Sequence, residues 1–141
     1  PSRHLADDRL VPVSAPTPDG RALFPLPGTA KQPLPYLGYA VGSFFGRAVD
    51  DLLRRPERHC HLVCRYQDAL AGSLAAMARA GHGIAWVPES LAADDLARGR
   101  LRRAGSHEWD IPFGISIYRS AERRRPRVDA IWARLPTQTR R

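Results

Sequence analysis

Residues 81–101, GHGIAWVPESLAADDLARGRL, constrain the fold more than any other stretch of the chain. Gly81 and Gly83 read as helix-stop residues, because glycine enters the left-handed conformation without a steric cost. The apolar run 84–87 is too short for a helix and has the length of a buried strand. Pro88 closes it, since proline cannot donate to a sheet ladder. Ser90 offers an N-cap for the next helix, with Asp94 and Asp95 early in it, where the helix dipole favours acids. Gly99 is a natural C-cap, flanked by Arg98 and Arg100 at the negative end. Helix, glycine turn, buried strand, proline, helix is an α/β unit.

The flanking sequence extends that pattern. A strand is expected over 10–13. Residues 16–35 hold much of the proline, with Asp19-Gly20 and Gly28, and read as a turn followed by an extended connector. A strand over 34–41 leads through Gly42-Ser43 into a helix over 44–54, with Ser43 as N-cap and Phe45, Ala48 or Val49, and Leu52 at core spacing. Pro56 stops it. In 60–66, Cys60, Leu62, Cys64 and Tyr66 alternate onto one side, as in a strand. A helix over 68–80 carries Leu70, Leu74 and Met77 on one face. Residues 111–118 alternate cleanly, with Ile111, Phe113, Ile115 and Ile117 pointing one way. A last helix from Pro126 bears Val128, Ile131, Trp132 and Leu135, ends at Pro136, and leaves a frayed tail to Arg141. This order predicts an α/β fold, a mostly parallel sheet flanked by helices.

At 141 residues the chain suffices for one domain with a core. It begins at Pro1 without an initiator Met, so a piece of a longer protein is expected. The net charge of +8 has a location: residues 98–141 contain twelve arginines and four acids, whereas the first 97 residues balance. Such an excess suits nucleic acid or an acidic partner, but no aromatics are interleaved for stacking, and a solvated arginine-rich surface is the plainer reading. No stretch approaches the ~18 apolar residues of a membrane span, and no signal-peptide layout opens the chain, so a cytoplasmic location is expected.

Chemistry-bearing clusters are few. His59, Cys60, His61 and Cys64 suggest a metal or redox site. On a strand, however, four residues span ~13 Å, whereas a disulfide needs Cα atoms within ~7 Å. The two histidines would also face away from the cysteines. Buried structural cysteines on a core strand are therefore expected, with no metal and no cofactor. Gly81-His82-Gly83 follows a helix and precedes a strand, the reverse of a phosphate loop. No catalytic acid pair or Ser/His/Asp set stands out, and neither Ser43 nor Ser90 has a nucleophile-elbow context, so an enzyme is the weaker class.

What remains is a binding site made by position. Open α/β sheets bind ligands beyond the carboxyl ends of their strands. Three segments qualify: Gly42, Ser43 and Phe44; Tyr66, Gln67 and Asp68; and Val87 with Pro88. Ordinary helix capping by Ser43 and Asp68 is an equally good account of those two residues.

The motif G-x-G-I-A-x-x-P-E-S-L-x(4)-L-x-x-G-R-L resembles the effector-binding domain of LysR-type transcriptional regulators. Residues 65–80 (RYQDALAGSLAAMARA) and 117–135 (IYRSAERRRPRVDAIWARL) are similar to that family's preceding helix and its last strand and helix, and the resemblance runs from about Leu10 onward. It implies a type II periplasmic-binding-protein-like fold of two subdomains joined by crossover strands. Residues 1–33 would then be the end of subdomain I and the crossover connector. Residues 34–118 would be subdomain II, carrying the effector site, and 119–141 the return segment and C-terminal helix of subdomain I, most of which is missing. The three strand-end segments match where the family lines its cleft. The resemblance further implies a small-molecule effector or oxidant, self-association as a dimer or tetramer, and DNA contact through an N-terminal winged helix-turn-helix absent from this chain. FFGR at 44–47 and GIAWVPE at 83–89 are similar to the hypochlorite-responsive subgroup, where oxidant sensing is associated with methionine; this chain has only Met77. The rival reading is a transporter's solute-binding protein, which shares the fold.

Overall fold

The structure, a computed structural model, describes residues 1–122 and 125–136. The expected frayed tail beyond Pro136 lies outside them. In chain order the elements are β1 (Ser2–Ser14), β2 (Leu34–Tyr39), α1 (Phe44–Leu53), β3 (Leu62–Asp68), α2 (Ala71–Arg79), β4 (Ala85–Pro88), α3 (Glu89–Ala97), β5 (Arg102–Arg103), β6 (Ile111–Tyr118) and α4 (Pro126–Arg134). Short 3-10 turns at Pro56–Arg58 and His107–Trp109 punctuate the connections.

The chain forms two compact units, Arg9–Ile111 and Pro1–Asp8 with Pro112–Arg141. In the larger unit β2 and β3 run parallel, and the bridge between Tyr36 and Ile84 carries the parallel direction on to the start of β4. β1 is antiparallel to both β4 and β5. The expected order of strands and helices is present, and the antiparallel pairing of β1 is what it left out. β1 also starts earlier than its apolar run, at Ser2, because strand pairing holds polar residues that hydrophobicity does not mark. β6 pairs with β1.

The core of this unit is the apolar run of β4 together with its neighbours: Ile84, Ala85, Trp86 and Val87 are all buried, as are Leu10, Val11 and Val13 of β1, Leu37 of β2, Val49 and Leu52 of α1, and Leu74 of α2. The two glycines before β4 do different things. Gly81 has φ +84, the left-handed turn that ends α2. Gly83 does not have a positive φ; a side chain there would put Cβ 2.6 Å from the Pro35 carbonyl oxygen, so it is glycine to let β2 approach.

Several local expectations are corrected. α3 begins at Glu89 with no side-chain cap, so Ser90 lies inside the helix. Asp94 and Asp95 lie in its later half, where the dipole does not favour acids; arginines hold them instead. Arg79 Nη1 and Arg100 Nε donate to the two oxygens of Asp95, both at 2.6 Å, and Arg98 and Arg100 pair with Asp94. α2 begins at Ala71, not at residue 68, and Leu70 before it is 66% exposed, while Leu74, Ala75 and Ala78 form its buried face and Met77 is half-buried. β3 begins at Leu62, leaving Cys60 outside it; Cys64 is exposed and Cys60 half-buried, so neither is a core cysteine. A bulge at Arg65, opposite the step from Tyr36 to Leu37, breaks the alternation from Cys64 to Tyr66.

In the smaller unit, Trp132 is the buried residue of α4, and the guanidinium groups of Arg3 and Arg119 lie 5.0 and 4.7 Å from its ring centroid. Arg3 donates to the Trp132 and Leu135 carbonyls, and Arg119 pairs with Asp129. Val128 and Ile131, expected on the same stripe as Trp132, are largely exposed.

Candidate functional site

The parallel register decides where the strand ends meet. Gly38 lies opposite Gln67 and Tyr39 opposite Asp68, and the Ala40 amide donates to the Asp68 carbonyl at 3.0 Å. Because the Tyr36–Ile84 bridge is also parallel, β4 ends at the same edge. That edge therefore gathers Gly42, Ser43 and Phe44 after β2, Tyr66, Gln67 and Asp68 at the end of β3, and Pro88 at the end of β4.

Each segment has its own local cause. Gly42 turns the chain at φ +83, and a Cβ there would meet nothing within 4 Å, so conformation and not space requires the glycine. Ser43 is extended, and its Oγ accepts the Gly46 amide at 3.0 Å, capping α1. Gly46 has no room for a side chain, since its Cβ would stand 2.7 Å from Ser43 Oγ. Phe44 points outward, 67% exposed, and Val41 is 93% exposed. Phe45 turns inward, its ring 5.5 Å from that of Tyr39.

Tyr39 fastens this edge to the core. Its hydroxyl donates to the Trp86 carbonyl at 2.7 Å, and Trp86 Nε1 donates to the Trp109 carbonyl at 2.9 Å. Burial pushes the Tyr39 phenol well above its ordinary pKa, so it stays neutral and remains a donor.

Asp68 is not the N-cap of α2. Its Oδ1 accepts the Leu70 amide at 2.9 Å and its Oδ2 accepts the Tyr66 hydroxyl at 2.8 Å. The Leu70 N–H, then the Tyr66 hydroxyl, hold its carboxyl below the usual aspartate range, while the bond to Asp68 pushes the Tyr66 phenol up. Both carboxylate oxygens are thus engaged locally. Gln67 beside it is exposed. Val87 does not reach the edge: it pairs with Val11 and is fully buried, so of the expected pair Val87 and Pro88 only the half-buried Pro88 is presented.

One feature of this edge was invisible in the sequence. The antiparallel register sets Leu10 opposite Pro88, which brings Arg9 to Glu89, with Arg9 Nε donating to Glu89 Oε2 at 2.5 Å. Arg103 and His107 converge on Asp110, at 2.5 and 3.0 Å, and Arg9 lies 3.7 Å from the same carboxyl. Arg9 and Asp110 are a hundred positions apart, and only strand pairing unites them. Among the described residues, no three His, Cys, Asp or Glu side chains form a group able to hold a metal ion. The His59 and His61 rings instead meet edge to face at 4.9 Å.

An α/β domain with strand ends and helix starts gathered at one edge is the architecture of a ligand-binding domain. Residues 1–140 match the LysR substrate binding domain, and the chain belongs to that family. The fold is accordingly of the type II periplasmic-binding-protein-like class. The chain is 31% identical over 133 residues to the HTH-type transcriptional regulator YjiE of Escherichia coli K12, covering 93% of this chain and 42% of that protein. It is 30% identical to the HTH domain-truncated transcriptional regulator QseD of Escherichia coli O157:H7, covering 93% of this chain and 52% of that one. Among solved structures, the regulatory domain of HypT from Salmonella typhimurium superposes with a TM-score of 0.86 at 26% identity, covering 94% of this chain and 62% of that one. The chain thus spans about half the length of the curated relatives it matches. These relatives are transcriptional regulators, which favours the effector-binding domain of a LysR-type regulator over a transporter's solute-binding protein. No helix among the described residues is long and apolar enough to cross a membrane.

Proposed function

We propose that this chain senses a small-molecule effector or oxidant for a LysR-type transcription factor, and that the strand-end edge is its effector site. The observation that carries the reading is the parallel pairing of β2 and β3, which sets the Ser43 turn beside Gln67 and Asp68. Ser43 and Asp68 are committed to local hydrogen bonds, so they shape the edge. Gln67 and Phe44, both exposed at this edge, are the side chains offered to a ligand. Residues 34–118 are the effector-binding subdomain in this reading, and 1–33 and 119–141 are ends of the other. Effector binding biases the arrangement of a dimer or tetramer, and the response reaches DNA through a winged helix-turn-helix elsewhere in the full protein. The domain itself is not an enzyme and works in the cytoplasm.

A hypochlorite response is the finer form of the proposal. It is supported by likeness to full-length HypT of Salmonella typhimurium, a hypochlorite-specific LysR-type transcriptional regulator, at 28% identity and a TM-score of 0.81 over 44% of that chain. Met77 is half-buried and is the sole methionine, so it is the residue to test. The experiment is effector- and hypochlorite-dependent transcription from the full-length regulator carrying Gln67→Ala, Phe44→Ala or Met77→Leu. Loss of response in Gln67→Ala and Phe44→Ala with an unchanged melting temperature supports the site. Wild-type response in both removes it. An unchanged hypochlorite response in Met77→Leu removes Met77 as the sensor.

A further inference from the structure

The connector between β1 and β2 is more ordered than a linker needs to be. Its backbone is tied down at four points: Leu23 N to Ala15 O at 2.8 Å, Leu26 N to Ala104 O at 2.7 Å, His61 N to Pro27 O at 2.9 Å, and Leu34 N to His61 O at 2.8 Å. Between these anchors the segment 23–35 lines an open groove of about 560 Å³. Its walls are Leu23, Phe24, Leu26 and Leu34, four prolines, and the polar residues Thr29 and Gln32. Gly28 lets the walls come together: at φ +69, a Cβ there would stand 2.9 Å from Leu34 Cγ.

We infer that this groove is a second small-molecule site, separate from the strand-end edge, for a neutral, largely apolar ligand such as a bicyclic aromatic. Its volume falls in the range of roughly 300–1,000 Å³ typical of ligand pockets. No charged side chain lines it, so an ionic ligand gains no charge partner there, whereas the apolar walls reward a neutral one. Prolines with fixed φ and four backbone anchors mean the walls are already in place, and little entropy is lost on binding. The polar end is set as well. Thr29 Oγ1 accepts the Gln32 amide at 3.0 Å, which holds that turn and leaves the threonine O–H and the Gln32 carboxamide to meet one hydrogen-bonding group of the ligand.

The test uses indole, a neutral bicyclic ring with one N–H, titrated into the ¹⁵N-labelled 141-residue chain. Saturable shifts are expected at the amides of Phe24, Leu26, Thr29 and Gln32, with Kd on the order of 1 mM. Indole-3-acetate, the same ring carrying a carboxylate, should bind there about tenfold more weakly or not at all. Gln32→Ala and Leu23→Ala, both at exposed positions, should keep the folded spectrum and weaken indole severalfold. The inference is overturned if indole gives no saturable shift, if the shifts centre on Phe44 and Gln67, if the carboxylate binds equally well, or if both variants bind like wild type.

Discussion

β3 and β4 are neighbours on either side of β2, yet they lead opposite lives. β4 is four residues long, and Ala85, Trp86 and Val87 are buried, with β1 on one side and the start of its run bridged to β2. β3 is seven residues long, none of them is fully buried, and among the described residues its only strand partner is β2. The sequences do not announce this. LVCRYQD carries as good an alternation as many core strands, and its cysteine suggests burial. The difference comes from position: an interior strand is covered on its faces and edges, whereas an edge strand keeps water along one side. For function the contrast matters, because rigidity comes from β4 and accessibility from β3, and the candidate edge uses both.

That contrast can be broken or sharpened by measurement. Trp86→Ala should be the most damaging change, about 4 kcal/mol in denaturant unfolding, since it empties a large buried volume and orphans the Trp109 carbonyl. A cost below about 1 kcal/mol would mean that β4 is not the core strand described here. Gly83→Ala should follow, at about 2 kcal/mol, because the new Cβ meets the Pro35 backbone oxygen and not a flexible side chain.

The next comparison is electrostatic. Asp95 and Asp68 both have lowered pKa values, but Asp95 is almost covered between Arg100 and Arg79, whereas Asp68 is held by local bonds at an open edge. A depressed carboxyl contributes stability that is fully present above its unfolded value of about 3.9. That contribution is lost as pH falls through the lower folded value. Thermal melts should therefore decline from about pH 4 downward, and Asp95→Asn should flatten that decline more than Asp68→Asn does. An equal effect of the two would erase the contrast. Ser43→Ala should cost about 1 kcal/mol through loss of the α1 cap, whether or not the residue meets an effector. Gln67→Ala, on the exposed strand, should stay within about 0.5 kcal/mol of wild type while blunting the effector response of the full-length regulator.

Much of the larger unit was legible from residues alone. The apolar run ending in Pro88, the turn at Gly81 and the N-cap at Ser43 are local matters, and each is where its chemistry put it. The strand-end segments were legible too, through the general geometry of α/β units. What they could not reveal was which of their side chains remain open. Val87 was expected at the edge and is sealed by Val11, and Asp68, expected either as a helix cap or as a ligand-facing group, closes a turn with Tyr66 and Leu70. In each case the deciding partner is fixed by pairing or turn geometry that hydrophobic periodicity does not encode.

The same division runs through the whole protein. Sequence by itself determined the order of the elements, their main stops, and membership of the LysR substrate-binding family, because helix periods, caps, prolines and a long motif act over a few residues at a time. Tertiary structure alone decided that β1 runs antiparallel, that Arg9 meets Glu89 and Asp110, that α3's acids are held by arginines from two directions, and that the proline connector lines an open groove. The deciding contacts, such as Arg9 with Glu89 and Asp110, join residues far apart in the chain, and their geometry exists only once the sheet has set its register.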